Sequence, residues 1–246
     1  MPRPQRIDFP GLTHHVTNRG VKKLAIFHDD EDRQRFLRLL LIVREQLPFV
    51  IQDYSLMTNH FHLLIKTLET SISQIMQYLT SRYAYWFNRK YGHVGHAFQS
   101  RFHSIPVQTD AYLAEASAYI DLNAPRAGIV ARPEDYSWCA YPAIITGAVN
   151  PLVDASELLG LFSENQDRAR ILYQQFVKER LNKSEPLNHE KLLKKRSWGA
   201  IPSITESIKP GRLASFPLGR KLGAWRLCHN VSFVIPRGPW RGIQPS

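Results

Sequence analysis

The stretch Met57-Thr58-Asn59-His60-Phe61-His62-Leu63-Leu64-Ile65 decides how this chain is read. Two histidines flank one bulky apolar residue, and an apolar run follows. On a β-strand successive side chains alternate faces, with a rise of about 3.3 Å per residue. His60 and His62 therefore point the same way, with Cα atoms about 6–7 Å apart. Phe61, Leu63 and Ile65 point to the opposite face. The segment reads as a strand with a core side and a chemical side. Two imidazoles on one side can close on a divalent metal. The same pattern also occurs as two half-exposed histidines that bind nothing, so a second stretch has to supply the rest of a site.

That second stretch is Asp110-Ala-Tyr-Leu-Ala-Glu-Ala-Ser-Ala-Tyr119-Ile-Asp-Leu-Asn123. Its Ala, Leu and Glu content favours helix, and Asp110 is the expected N-cap. Tyr119 and Asn123 are four residues apart and share a face. The amide oxygen of Asn123 can serve as a third metal ligand, with Tyr119 held beside the metal. Tyr112 precedes Tyr119 by seven residues and lies on nearly the same face, so periodicity alone does not separate the two.

Between these stretches the elements alternate. Residues 12–19 read as a strand. Residues 29–47 read as a helix, with Phe36, Leu39, Leu40 and Val43 at helical spacing and Pro48 as the stop. Residues 49–57 and 60–67 are two antiparallel strands joined tightly at Thr58-Asn59. Residues 71–91 are a second long helix, 101–108 a fourth strand, and 110–123 the helix with the tyrosine. The order β-α-β-β-α-β-α opens as a split βαβ, or ferredoxin-like, sandwich: an α+β fold with an antiparallel sheet. Two helices would cover one face, and a third laid over the other would bring Tyr119 towards His60 and His62.

Several blocks carry a resemblance. They are Phe9-Pro10-Gly11, His15-Val16-Thr17-Asn18-Arg19-Gly20, Phe27-His28-Asp29-Asp30-Glu31-Asp32, Leu56-Met57-Thr58-Asn59-His60-Phe61-His62-Leu63-Leu64, and Tyr85-Trp86-Phe87-Asn88-Arg89. Further along stand Gly95-His96-Ala97-Phe98-Gln99-Ser100-Arg101-Phe102, Tyr119-Ile120-Asp121-Leu122-Asn123 and Arg126-Ala127-Gly128-Ile129-Val130. In these blocks, in their order and spacing, the first 145 residues or so resemble the REP-associated tyrosine transposases, a branch of the HUH single-strand endonuclease superfamily. The chain departs from that family at Thr58, where a Pro is usual, and at Asn123-Ala124-Pro125, where Asn-Pro-Val is usual. The first change loosens a turn beside the histidines, and the second moves a helix breaker by one residue. The resemblance implies the same fold, and adjacency to Asn123 together with the family match selects Tyr119 over Tyr112 as nucleophile. It implies Mg²⁺ or Mn²⁺ held by His60, His62 and Asn123. It also implies nicking and rejoining of single-stranded DNA through a 5′-phosphotyrosine link, at hairpin-forming repeats.

Arg82, Arg89, Lys90 and Arg101 are interleaved with Tyr83, Tyr85, Trp86, Phe87, Phe98 and Phe102. Cations on a backbone and rings on bases are how single strands are held, so these four are the expected DNA contacts, although most of the aromatics should be core. His14 and His15 are adjacent and face opposite ways; they read as structural or DNA-facing. His93, His96 and His103 read as nucleic-acid contacts rather than ligands.

Composition sets the outer limits. At 246 residues and 43% hydrophobic the chain can bury one sizeable domain with additions. No apolar run reaches the ~18 residues of a membrane span, and no signal peptide is expected. Cys139 and Cys228 are far apart, which fits a reducing cytoplasm and neither a zinc knuckle nor a disulfide framework. Nothing calls for a small-molecule cofactor, and monomer and dimer both stay open. Residues 1–185 hold 21 Lys and Arg against 19 Asp and Glu, and residues 186–246 hold 11 against 2, so +9 of the +11 net charge is in the tail. The expected organisation is a catalytic domain over 1–145, a helical appendage over 146–184 and a basic tail over 185–246 that can bind phosphates. Two rival functions fit the same residues: a DNA-binding protein that has lost strand transfer, and a metallohydrolase using His60, His62 and an activated water.

Overall fold

A computed structural model describes residues 7–182; the expectation for the tail lies outside the described residues. Four strands form one antiparallel sheet: β1 (Thr13–Arg19), β2 (Phe49–Met57), β3 (His60–Thr67) and β4 (His103–Val107). The spatial order is β2-β3-β1-β4, with every neighbouring pair antiparallel. That is the split βαβ arrangement expected from the element order. β3 runs between the two strands of the first β-α-β unit, so the histidine strand is central and flanked by β1 and β2.

Helices α1 (Asp30–Gln46) and α2 (Ile72–Tyr91) cover one face. Both begin with a capping box, Asp29 with Asp32 and Ser71 with Gln74, which satisfies the orphan amides of the first turn. Phe36, Phe61 and Tyr83 form an aromatic cluster, with ring centroids 4.8 Å apart for Phe36 and Phe61 and 5.2 Å for Phe36 and Tyr83. Phe61, Leu63 and Ile65 are fully buried there. The apolar half of the His-x-His strand is thus committed to the core.

The other face is covered from the C-terminal side. α3 (Asp110–Asp121) lies over β2 and β3, and the short α4 (Asn123–Arg126) follows it after Leu122. Two expectations are corrected here. The N-cap of α3 is Thr109, whose extended backbone lets its hydroxyl accept from Tyr112 N at 3.2 Å; Asp110 sits in the first turn instead, where the helix dipole favours a negative charge. The tyrosine helix stops at Asp121, so Asn123 opens a separate turn.

Beyond residue 130 the chain ties down the β2 edge. Leu56 N donates to Trp138 O at 2.9 Å, Ala140 N to Tyr54 O at 3.0 Å and Asp154 N to Ile51 O at 2.8 Å. The hydroxyl of Tyr136 donates to Leu56 O at 2.6 Å. An open edge strand invites pairing with another chain, and these bonds occupy it. Helices α5 (Tyr141–Thr146), α6 (Ser156–Gly160) and α7 (Gln166–Asn182) pack together. α7 buries Tyr173, Phe176 and Val177. No helix among the described residues is long and apolar enough to cross a membrane.

Candidate active site

The pairing of β1 with β3 sets Thr17 opposite His62 and Arg19 opposite His60. Opposed residues in an antiparallel ladder project to the same face. That face therefore carries His15, Thr17 and Arg19 from β1 beside His60 and His62 from β3. α3 lays Tyr119 over it. The Tyr119 ring centroid is 5.5 Å from that of His62 and 5.9 Å from that of His15, edge-on to both. The rings of His60 and His62 are 5.1 Å apart.

Each of the paired histidines has its Nδ1 committed to a protein partner. His60 Nδ1 lies 2.7 Å from Asn59 Oδ1, and Asn59 Nδ2 donates to Lys23 O at 3.0 Å, which fixes the amide orientation. His62 Nδ1 lies 3.0 Å from His15 Nε2. Nε2 is therefore the nitrogen with which each ring would meet a cation. Burial, and then the charge of Arg19, lower the pKa of His60 to about 4, so the ring is neutral at physiological pH and its lone pair is usable. Asn123 spends its amide nitrogen on α3, donating to Tyr119 O at 2.9 Å and Ile120 O at 3.3 Å. Its Oδ1 is the remaining oxygen donor. Among the described residues no cluster of three or more His, Cys, Asp or Glu could hold a metal. Two imidazoles on one sheet face, joined by an amide oxygen, are donor types that suit Mg²⁺ or Mn²⁺ when substrate phosphate and water complete the shell.

Burial raises the pKa of Tyr119, while Arg126 and Arg19 pull it back down. The phenol stays protonated until something offsets that burial. The two arginines give the face a positive bias suited to a phosphate. Tyr112 is different. Its hydroxyl is buried without a hydrogen-bond partner among the described residues, and burial pushes its pKa to about 12. The structure thus separates two tyrosines that helical spacing leaves equivalent.

Beside Tyr119, Ser117 and Asp121 run into a buried polar chain. Ser117 is linked to Asp53 and, at 2.8 Å, to Tyr173, and Tyr173 is linked to Asp121. Three links need three hydrogens, and two hydroxyls supply two. The chain is complete only if one carboxyl keeps its proton. Burial raises both carboxyl pKa values, Asp53 to about 7 and Asp121 well above the ordinary range, the latter with Asp53 adding to the rise.

The expected DNA contacts lie elsewhere. Arg82 and Arg89 line a groove of about 340 Å³ with Arg35, Leu39, Tyr85 and Trp86, on the outer side of the α1–α2 layer. The sheet separates this groove from the histidines. Tyr85 is 69% exposed there. Lys90 stands apart, with its ammonium 2.8–2.9 Å from the carboxylates of Asp29, Glu31 and Asp32. It ties α2 to the start of α1. Arg101 is exposed just before β4, which runs on from it beside β1.

His15 and Arg19 were not picked out as site residues by sequence reasoning. The signal was present in strand parity: His15, Thr17 and Arg19 alternate with Val16 and Asn18, and the split βαβ order places β1 beside β3. His14, on the opposite face, contacts Ser104 Oγ at 3.0 Å and Asp8 at 3.4 Å. The turn at Thr58 is not loose: Thr58 O accepts from Ile26 N and Phe27 N, both at 3.0 Å, and Asn59 O accepts from Gly20 N at 2.9 Å. Gly20 is required at that approach, since a Cβ would fall 2.2 Å from Leu24 O.

Residues 9–123 are similar to the IS200-like transposases, whose family model matches that segment. Among solved structures, a REP-associated tyrosine transposase bound to a REP hairpin has a TM-score of 0.52 at 17% identity, covering 64% of this chain and 93% of that one. No curated protein matches significantly.

Proposed function

We propose that this chain is a metal-dependent tyrosine transposase that nicks and rejoins single-stranded DNA at hairpin-forming repeats. One observation carries the reading: Tyr119 is laid edge-on against His62, on the sheet face that also holds His60 and Arg19. The family match of residues 9–123 and the hairpin bound by the solved transposase support the substrate class.

In this reading the Tyr119 oxygen forms a bond to phosphorus as the P–O3′ bond breaks. The phenol gives up its proton and the departing 3′ oxygen takes one, leaving a 3′-hydroxyl and a 5′-phosphotyrosine. A second 3′-hydroxyl reverses the exchange and joins a new strand. Arg19 and Arg126 hold the phosphate near the tyrosine and favour the phenolate. His60, His62 and Asn123 would hold Mg²⁺ or Mn²⁺, which polarises the phosphate and neutralises its developing charge when bound. Arg82, Arg89 and Arg101 contact DNA away from the scissile bond.

DNA binding without strand transfer is the second reading, favoured by the burial that keeps the Tyr119 phenol protonated. Incubating the full chain with hairpin oligonucleotides and Mn²⁺, then running a denaturing gel, separates the two. A covalent protein–DNA band that does not form when EDTA is present from the start is expected. Tight binding with no such band would leave only the second reading.

A further inference from the structure

We infer that His15 is a positioning residue for His62: it accepts a hydrogen bond from His62 Nδ1 and so fixes the tautomer whose Nε2 can bind a metal. The inference rests on the reading of His60 and His62 as metal ligands.

A hydrogen bond between two neutral imidazoles needs one ring to donate and the other to accept. The contact joins His62 Nδ1 to His15 Nε2 at 3.0 Å. If His15 donated, His62 would accept at Nδ1 and carry its own proton on Nε2, where it would block a metal. If His62 donates, its Nε2 presents a lone pair. Only the second arrangement makes His62 a ligand, and it places the His15 proton on Nδ1. His60 needs no such choice. Its Nδ1 faces an amide oxygen, which can only accept. Asn59 and His15 thus bring two neighbouring imidazoles to the same protonation pattern by different means.

The setting suits that task. His15 is 2% exposed and His62 4%, so water does not compete freely for the bond. The Tyr119 ring closes on both imidazoles and limits their rotation. Partners behind metal-bound histidines commonly change metal affinity by about 10–100-fold.

The test uses the full chain with ¹⁵N-labelled histidine and long-range ¹H–¹⁵N spectra in the absence of metal. His62 is assigned against His62→Gln. We expect His62 to carry its proton on Nδ1. His15→Leu should shift it towards Nε2, and His15→Gln, whose Oε1 can accept at the same place, should hold it on Nδ1. Mn²⁺ titration by calorimetry should show His15→Leu weakened by about 10–100-fold and His15→Gln close to wild type. Thermal melting establishes that each variant is folded. A wild-type His62 protonated on Nε2 would overturn the inference even if His15→Leu did not fold. So would equal Mn²⁺ affinities in wild type and His15→Leu, or equal weakening in both variants, which would mean packing alone. A wild-type chain that binds no Mn²⁺ would instead remove the metal reading beneath it.

Discussion

Alternate residues of the same strands build the two faces of the sheet, and the faces behave differently. Under α1 and α2, Val16, Leu56, Phe61 and Leu63 are buried among Phe36, Tyr83 and other apolar groups. Each makes many weak contacts, so no single neighbour is decisive. Under α3 the groups are His15, His62, Asp53, Ser117 and Asp121, and each is held by directional hydrogen bonds. Stability is diffuse on the first face. On the second, placement is specific and chemistry becomes available.

Phe61→Ala and His60→Ala probe adjacent residues on opposite faces, and we expect the largest contrast here. Phe61→Ala should cost about 3–5 kcal/mol in urea unfolding, because it leaves a cavity in a packed aromatic cluster. His60→Ala should cost about 1 kcal/mol, the size of one lost hydrogen bond, yet abolish Mn²⁺-dependent adduct formation. Similar stability losses for both would break the contrast.

Asp53 gives a smaller effect with a defined sign. Its pKa is about 7 in the folded chain against 3.8 ordinarily, so the folded state keeps a proton that the unfolded state releases. That stabilisation is fully present below about pH 4 and is lost as pH rises through about 7. Asp53→Asn can link to Ser117 as a donor and supply the missing hydrogen. Chemical unfolding at pH 5 and pH 8 should show a smaller drop for Asp53→Asn than for wild type. An unchanged drop would assign the proton to another group.

The smallest effect belongs to the groove across the sheet. Arg82→Ala or Arg89→Ala should weaken DNA binding uniformly across sequences and reduce the salt slope by about 1 each. Lys90→Ala should leave that slope unchanged and lower thermal stability, since its charge is spent on Asp29, Glu31 and Asp32. A reduced slope for Lys90→Ala would return it to the DNA surface.

Most of the fold was legible in the sequence because each element carries its own punctuation. The α1 helix is announced by Asp29 and stopped by Pro48, and β2 and β3 meet at a two-residue turn. The His60 and His62 side of β3 followed from alternation. His15 did not, because an adjacent His14 hid which of the two shared the face. Arg82 and Arg89 show the opposite limit: the pattern that marked them as cations among rings says nothing about which side of the sheet they occupy. The Asp53–Ser117–Tyr173–Asp121 chain joins residues from three elements, and no local spacing foretells it.

On the proposed reading the polar face is a strand-transfer site with Tyr119 as nucleophile. Protease digestion and mass spectrometry of the chain, after reaction with a hairpin oligonucleotide and Mn²⁺, locate the attacking residue. A nucleotide phosphate on the peptide carrying Tyr119, absent from Tyr119→Phe and retained in Tyr112→Phe, is the predicted result. The same mass on Tyr112, or an adduct that survives Tyr119→Phe, would contradict it.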